Sequence, residues 1–239
     1  MEDLRYGDIG FTVARWPLAR DRATLLFIHG SSADGRMWRH QVAGLAEAAN
    51  TLAVDLPGHG RSPGRGHDTI AAYARALADF VRGASIPLPV PCGLSIGGAI
   101  ALQLMLDFEG DFPAAVLMGT GARLRVLPEI LATIAGDYPA YLEQIDRLSA
   151  AETTDRDRLR PFTEAARRCD PQVAGRDFTA CDRFDVMERL GEIHRPVLVV
   201  SGTEDRLTPP KYADFLERNL VRAVRADVPA AGHLAPLEQ

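Results

Sequence analysis

A serine between two glycines lies where an apolar segment meets a run rich in alanine and leucine. The motif Gly93-Leu94-Ser95-Ile96-Gly97 follows the apolar residues 90–92 and leads into residues 101–106. This order predicts a strand, one sharp turn and a helix, with the glycines at the two positions where a Cβ would collide. The turn would hold the Ser95 hydroxyl above the start of the helix, where the amide of Ile96 and the helix dipole face developing negative charge. The pattern predicts a nucleophile at Ser95. An ordinary glycine-rich turn is the alternative unless the chain also supplies a base and an acid.

Short apolar runs alternate with helical segments over most of the chain. Strands are predicted at residues 24–28, 51–55, 114–118, 196–201 and 223–228, after a hairpin over residues 4–16. Helices are predicted at residues 35–48, 69–82 and 209–220, with Asp68 as the N-cap of the second. This alternation predicts βαβ units, and therefore an α/β fold with a mostly parallel sheet flanked by helices.

Residues 122–194 break this alternation. They show helical periodicity, as in the apolar sets Leu127-Ile130-Leu131-Ile134 and Tyr141-Ile145-Leu148, and they contain no apolar strand run. We therefore expect a helical cap at residues 122–194, inserted into an α/β core of residues 1–121 and 195–239.

Several residues that could do chemistry follow predicted strands. Ser95 follows the strand before its motif, Asp205 and His233 follow the last two strands, and the turn His29-Gly30-Ser31 follows the strand at residues 24–28. In open parallel sheets, ligands bind beyond the carboxyl ends of the strands. We therefore expect these groups to meet at one edge of the sheet.

Five motifs in this order resemble the α/β-hydrolase superfamily, in its broad group of esterases and lactonases with a helical cap. They are His29-Gly30, Asp55-Leu56-Pro57-Gly58-His59-Gly60-Arg61-Ser62, Gly93-Leu94-Ser95-Ile96-Gly97-Gly98, Gly202-Thr203-Glu204-Asp205-Arg206 and Gly232-His233. Together they span nearly the whole chain outside the predicted cap.

The resemblance implies a serine hydrolase that needs no cofactor or metal and works through a catalytic triad. His233 would take the proton of the Ser95 hydroxyl through one ring nitrogen, and Asp205 would accept a hydrogen bond from the other. The oxyanion of the tetrahedral intermediate would be bound by the backbone N–H groups of Ser31 and Ile96.

Two bulky residues follow the predicted oxyanion loop. Met37 and Trp38 would either line an acyl pocket or pack in the core at the start of a helix, and the sequence favours neither.

Other acids and histidines compete for these roles. Glu204 is adjacent to Asp205 and should point the other way. The other position for the acid, after the strand at residues 114–118, reads Met118-Gly119-Thr120-Gly121 and holds no carboxylate. His29 is interpreted as a structural histidine that braces its loop, and residues 55–62 as a structural turn beside the nucleophile. The weaker candidates for the base are His40, His59, His67 and His194.

The residue types narrow the reaction. A serine rather than an aspartate in the central motif disfavours haloalkane dehalogenase and epoxide hydrolase chemistry. We predict hydrolysis of a carboxylic ester or lactone of a small, largely apolar substrate through an acyl-enzyme. The alternatives are a C–C bond hydrolase, a cofactor-free perhydrolase, or a ligand-binding protein of the same fold with little turnover.

Composition bounds the partners and the compartment. The formal net charge of −5 is spread without long like-charge blocks, which argues against nucleic acid as a partner. No run of 18 apolar residues and no apolar signal core is present, so we expect neither a membrane span nor secretion. Three widely spaced cysteines predict no disulfide framework or zinc site, and the expected location is the cytoplasm. The oligomeric state is left open.

Two features depart from the family pattern. Pro89 and Pro91 lie in or before a central strand, where proline removes a ladder hydrogen bond, so we expect only about four regular residues there. The chain also stops at Gln239, six residues after His233, whereas relatives usually continue into a helix that pins the histidine loop. We therefore expect either a trimmed chain or a mobile histidine loop.

Overall fold

Eight strands form a single sheet in the computed structural model, which describes residues 1–239. The strands are β1 Glu2–Tyr6, β2 Ile9–Val13, β3 Thr24–Ile28, β4 Asn50–Val54, β5 Pro89–Leu94, β6 Ala115–Met118, β7 Val197–Gly202 and β8 Ala223–Val228. Their spatial order is β1-β2-β4-β3-β5-β6-β7-β8, in which β2 is antiparallel to β1 and β4 and all other neighbours are parallel. The predicted α/β fold with a mostly parallel sheet is confirmed.

Nine α-helices accompany the sheet. They are α1 Arg39–Gly44, α2 Ile70–Gly83, α3 Ile96–Asp107, α4 Pro128–Gly136, α5 Tyr138–Leu148, α6 Arg160–Arg168, α7 Pro171–Arg183, α8 Lys211–Asn219 and α9 Ala235–Glu238. Short 3-10 helices occupy Gly35–Trp38, Glu109–Asp111, Arg156–Leu159 and Met187–Glu192. None of the helices combines the length and apolar character needed to cross a membrane. Four helices, α4 to α7, lie between β6 and β7, where helices without strands were expected.

The central strands are buried on both faces of the sheet. In β3, Leu26 and Ile28 belong to one hydrophobic cluster, whereas Phe27 between them belongs to the other. Side chains alternate across a strand, so each face of β3 is covered by its own layer of helices. This burial explains why the strand is a continuous apolar run.

Strand β5 is longer than the sequence suggested. The expectation of about four regular residues was wrong, because β5 has six and pairs with β3 from Pro89 onward. The Ser95 N–H points toward β6, where it donates to Met118 O. Because backbone N–H groups alternate between the two edges of a strand, the backbone nitrogens of Pro89 and Pro91 also point toward β6. On that side β6 begins to pair only at Cys92. The missing proline N–H groups therefore cost no hydrogen bond in the sheet.

Two helix boundaries also differ from the sequence-based expectation. The helix expected at residues 35–48 is a 3-10 turn followed by α1, which ends at Gly44, since glycine weakens a helix. The N-cap of α2 is Thr69 rather than Asp68, and its hydroxyl accepts the Ala72 N–H. Asp68 instead pairs with Arg183 of α7 at 2.7 Å.

Candidate active site

Ser95 lies on a strained turn between β5 and α3. Its φ of 58° and ψ of −119° are unusual for a residue with a side chain. A Cβ on Gly93 would collide with the carbonyl of Gly97, and a Cβ on Gly97 would collide with the carbonyl of Ile28. Only glycine fits at both positions, so the two flanking glycines are required by this turn.

The turn after β3 lies beside Ser95. A methyl group on Gly30 would be 3.7 Å from the Ser95 Cβ, so the backbone of this turn approaches the hydroxyl closely. The N–H of Ser31 donates to no group of the protein. Ile96 is the first residue of α3, and its N–H has no acceptor one turn earlier in the helix. Both predicted oxyanion donors are thus backbone N–H groups in the turns that flank Ser95.

Asp205 and His233 form a buried hydrogen-bonded pair. The Nδ1 atom of His233 lies 2.9 Å from Asp205 Oδ2, which leaves Nε2 free. The Asp205 carboxylate also accepts from the N–H groups of Leu207 and Thr208, at 2.9 and 2.8 Å. Burial by itself raises the pKa of the Asp205 carboxyl, but the adjacent His233 and the hydrogen bonds from His233 and Thr208 outweigh it and lower the pKa.

Thr208 contacts both members of this pair. Its hydroxyl lies 2.8 Å from Asp205 Oδ2 and 3.1 Å from His233 Nδ1. Gly119 directly follows β6 and has a positive φ of 47°. Its backbone lies so close to the imidazole ring that a Cβ there would be 3.1 Å from His233 Nδ1. Neither contact could be predicted from the sequence, because nothing in a single threonine or glycine distinguishes it from an ordinary turn residue.

Ser95 and His233 open onto one cavity of about 330 Å³. In this structure no hydrogen bond joins the Ser95 hydroxyl to the His233 ring. Catalytic hydrogen bonds are often long until substrate binds. The cavity lies between the carboxyl edge of the sheet and helices α4 to α7. Its apolar lining includes Leu94, Ile130, Ile145, Phe162, Phe178 and Leu234.

The two residues that could line an acyl pocket or pack in the core have different environments. Met37 lines the cavity, whereas Trp38 does not. The Trp38 ring is fully buried and stacks on Phe27, with ring centroids 5.0 Å apart, so it is a core residue. The cavity lining also includes the side chains of Arg125 and Arg206, and no carboxylate reaches the cavity.

The loop that carries His233 is held by the last helix, α9. The buried carboxylate of Glu238 accepts the N–H of Gly232 at 2.9 Å and the N–H of Ala151 at 2.8 Å. It also accepts the Thr154 hydroxyl at 2.6 Å. Glu238 of α9 thus ties the histidine loop to the segment after α5. Sequence reasoning missed Glu238 because its partners are two backbone N–H groups, 6 and 87 positions away, and a hydroxyl 84 positions away.

The remaining histidines have no place beside Ser95. His29 donates from Nδ1 to Gly30 O and accepts the Leu56 N–H at Nε2, so it braces its loop in the neutral form. Burial, and then the charge of His59, lower the pKa of His29 to about 4. His59 is buried against Asp177 of α7. His40, His67 and His194 lie outside the cavity that Ser95 opens onto.

Asp55 organises the turn after β4. Its carboxylate accepts the N–H of Gly35 at 2.8 Å and both the N–H and Nε–H of Arg61, at 2.9 and 2.7 Å. The Ser62 hydroxyl donates to Asp55 O at 2.6 Å. None of these side chains lines the cavity, so residues 55–62 form the structural turn that was expected.

Comparison with known proteins identifies the family. Residues 25–239 match the family described as the alpha/beta hydrolase family. A pimeloyl-(acyl-carrier protein) methyl ester esterase from Neisseria meningitidis serogroup B is 33% identical over 208 residues, covering 81% of this chain and 79% of the relative. The chain belongs to the alpha/beta hydrolase family.

More distant relatives extend the comparison. The 3-oxoadipate enol-lactonase 2 of Acinetobacter baylyi is 26% identical over 241 residues, covering 92% of this chain and 85% of the relative. The structure of a thermophilic esterase from Thermogutta terrifontis superposes with a TM-score of 0.83 and 23% identity, over 97% of this chain and 89% of that one. At that identity the superposition shows the fold alone. With the sequence relatives, the predicted class of carboxylic ester hydrolase is confirmed.

Proposed function

We propose that this ester hydrolase is a serine enzyme in which Ser95 is the nucleophile, His233 the general base and Asp205 the acid that orients it. The observation that carries the proposal is the buried Asp205–His233 pair, at 2.9 Å, opening onto the same cavity as the strained Ser95 turn. The Asp205 carboxylate fixes the proton of His233 on Nδ1 and so presents a basic Nε2 to the cavity.

The reaction then proceeds in two halves. His233 takes the Ser95 proton as the hydroxyl attacks the ester carbonyl, and returns it to the leaving alcohol as the acyl-enzyme forms. Water repeats the sequence, giving the free acid and regenerating the serine. The N–H groups of Ser31 and Ile96 are proposed to bind the oxyanion in both halves.

The cavity points to the substrate class. Its volume of about 330 Å³ and its apolar lining favour a small, largely apolar acyl or lactone group. We propose that residues 122–194 act as the cap that shapes this pocket, since α4 to α7 supply much of the lining. Arg125 lines the cavity without a carboxylate partner, which favours substrates with an anionic group remote from the scissile ester. The cytoplasmic location remains a prediction.

Covalent labelling of Ser95 tests this function. The wild-type protein should react with a fluorophosphonate probe and hydrolyse p-nitrophenyl acetate and butyrate. Ser95→Ala should lose labelling and lower kcat by roughly 10⁴-fold or more, with an unchanged circular dichroism spectrum. Residual activity within tenfold of wild type would count decisively against the assignment. Labelling without turnover would instead favour the ligand-binding protein.

A further inference from the structure

A buried carboxylate on α7 contacts the loop that carries Ser31. Asp177 is fully buried, and its Oδ2 accepts the N–H of Ser32 at 3.1 Å and Nε2–H of His59 at 2.9 Å. Its Oδ1 accepts the Tyr73 hydroxyl at 2.6 Å. The three donors lie in the turn after β3, in the turn after β4 and on α2. The Asp177 side chain of α7 therefore joins three separate segments of the chain.

Ser32 is held from a second helix as well. Its φ of 60° is in the left-handed region, which residues with a side chain seldom adopt without support from their surroundings. Its hydroxyl lies 3.0 Å from the hydroxyl of Tyr141 on α5. Contacts from α5 and α7 therefore hold the residue that follows the predicted oxyanion donor.

The Asp177 carboxylate meets a cation in His59. The two ring nitrogens of His59 face Asp177 Oδ2 and Pro57 O, at 2.9 and 3.2 Å, so both can donate. Burial lowers the pKa of His59, but the adjacent Asp177 carboxylate outweighs burial and raises it well above its ordinary value. The charged carboxylate is thereby retained in the interior, where it is a stronger acceptor for the Ser32 N–H than a neutral group.

We propose that Asp177 is a positioning residue for oxyanion binding, which holds Ser32 so that the preceding Ser31 N–H stays directed at the carbonyl attacked by Ser95. The inference rests on the proposed function. Neither Asp177 nor Ser32 lines the cavity, so neither meets the ground-state substrate. An oxyanion donor acts on charge that develops in the transition state, and its displacement lowers kcat rather than raising KM.

Steady-state kinetics of Asp177→Asn with p-nitrophenyl butyrate test this role. We expect kcat to fall about 10- to 100-fold with KM within about twofold, because the donor is displaced rather than removed. Inhibition by a trifluoromethyl ketone, whose serine adduct carries an oxyanion, should weaken in parallel. Tyr141→Phe removes the hydroxyl that contacts the Ser32 hydroxyl and should lower kcat about threefold to tenfold. It decides the question if Asp177→Asn does not fold.

Thr51→Val is the matched control. Its buried hydroxyl donates to Val42 O at 2.8 Å and lies outside the cavity, so its loss should lower stability and leave kcat within about twofold. Folded Asp177→Asn and Tyr141→Phe proteins with wild-type kcat and ketone affinity would overturn the inference. Failure of the proposed function is distinguished from this result, because it appears as a Ser95→Ala protein that retains activity.

Discussion

The carboxylate of Glu238 accepts the backbone N–H of Gly232, at 2.9 Å, and thereby ties the last helix to the residue before His233. Removing this side chain in Glu238→Ala leaves the buried N–H groups of Gly232 and Ala151 without an acceptor, at a cost of about 1–3 kcal/mol each. We expect Tm to fall by roughly 5–15 °C and kcat to fall with it. Thermal unfolding and esterase assays measure both.

Glu217→Ala is the control for this change. Glu217 is exposed on α8, away from the cavity, and its removal should leave Tm and kcat unchanged. If Glu238→Ala matched this control in Tm and kcat, the role of Glu238 in holding the histidine loop would be refuted.

Asp205→Asn should lower kcat by about 10³- to 10⁴-fold with little change in fold. An amide at this position can donate to His233 Nδ1, which places the remaining ring proton on Nε2, where the base is needed. Glu204→Gln is the matched control, since its side chain is exposed while Asp205 contacts His233. Equal losses of kcat in the two variants, measured with p-nitrophenyl butyrate, would contradict Asp205 as the orienting acid.

Arg125→Gln should alter specificity rather than general activity. For the monomethyl ester of adipate, kcat/KM should fall about 1.5- to 5-fold, the range expected for an exposed cation that meets a substrate carboxylate. For methyl hexanoate, which has the same acyl length without the charge, it should not change. Arg123→Gln is the control, because Arg123 pairs with Asp185 at 3.7 Å and does not line the cavity. A fall of the same size for both esters would contradict the charge contact.

The buried His59–Asp177 pair should make stability depend on pH. The pKa of His59 is raised above its ordinary 6.5 in the folded protein. Its contribution to the free energy of unfolding is therefore full below pH 6.5 and is lost as the pH rises through the folded-state pKa. The Asp177 carboxyl is beside that imidazolium, which lowers its pKa below the ordinary 3.8 despite burial. Its contribution is full above pH 3.8 and is lost as pH falls through the folded-state value.

Urea denaturation measures this dependence against the His59→Gln/Asp177→Asn double variant, which titrates at neither position. The stability difference between wild type and the double variant should be greatest near pH 5 and smaller at pH 9. A difference that stays constant over this range would show that the pair is not charged in the folded protein.

The sequence by itself determined the fold class, with a mostly parallel sheet, and it predicted which residues form the candidate site. The apolar runs predicted the parallel strands because a strand buried on both faces must be apolar throughout. The motif around Ser95 predicted its turn because Gly93 and Gly97 leave no room for a Cβ. Asp205 and His233 became candidates because each follows a parallel strand whose carboxyl end lies at the same edge, and the family resemblance implied their roles. These are local patterns, and local patterns are readable in one chain.

Only the tertiary structure decided which polar residues support that site. Folding brings Thr208 to His233, Glu238 to Ala151 and Asp177 to Ser32, over 25, 87 and 145 positions of sequence. Trp38 proved to be a core residue, and Met37 beside it lines the cavity, because neighbouring side chains point in different directions. The prolines of β5 were tolerated because β6 starts opposite Cys92. Each outcome depends on where distant segments pack, which no spacing along the chain encodes.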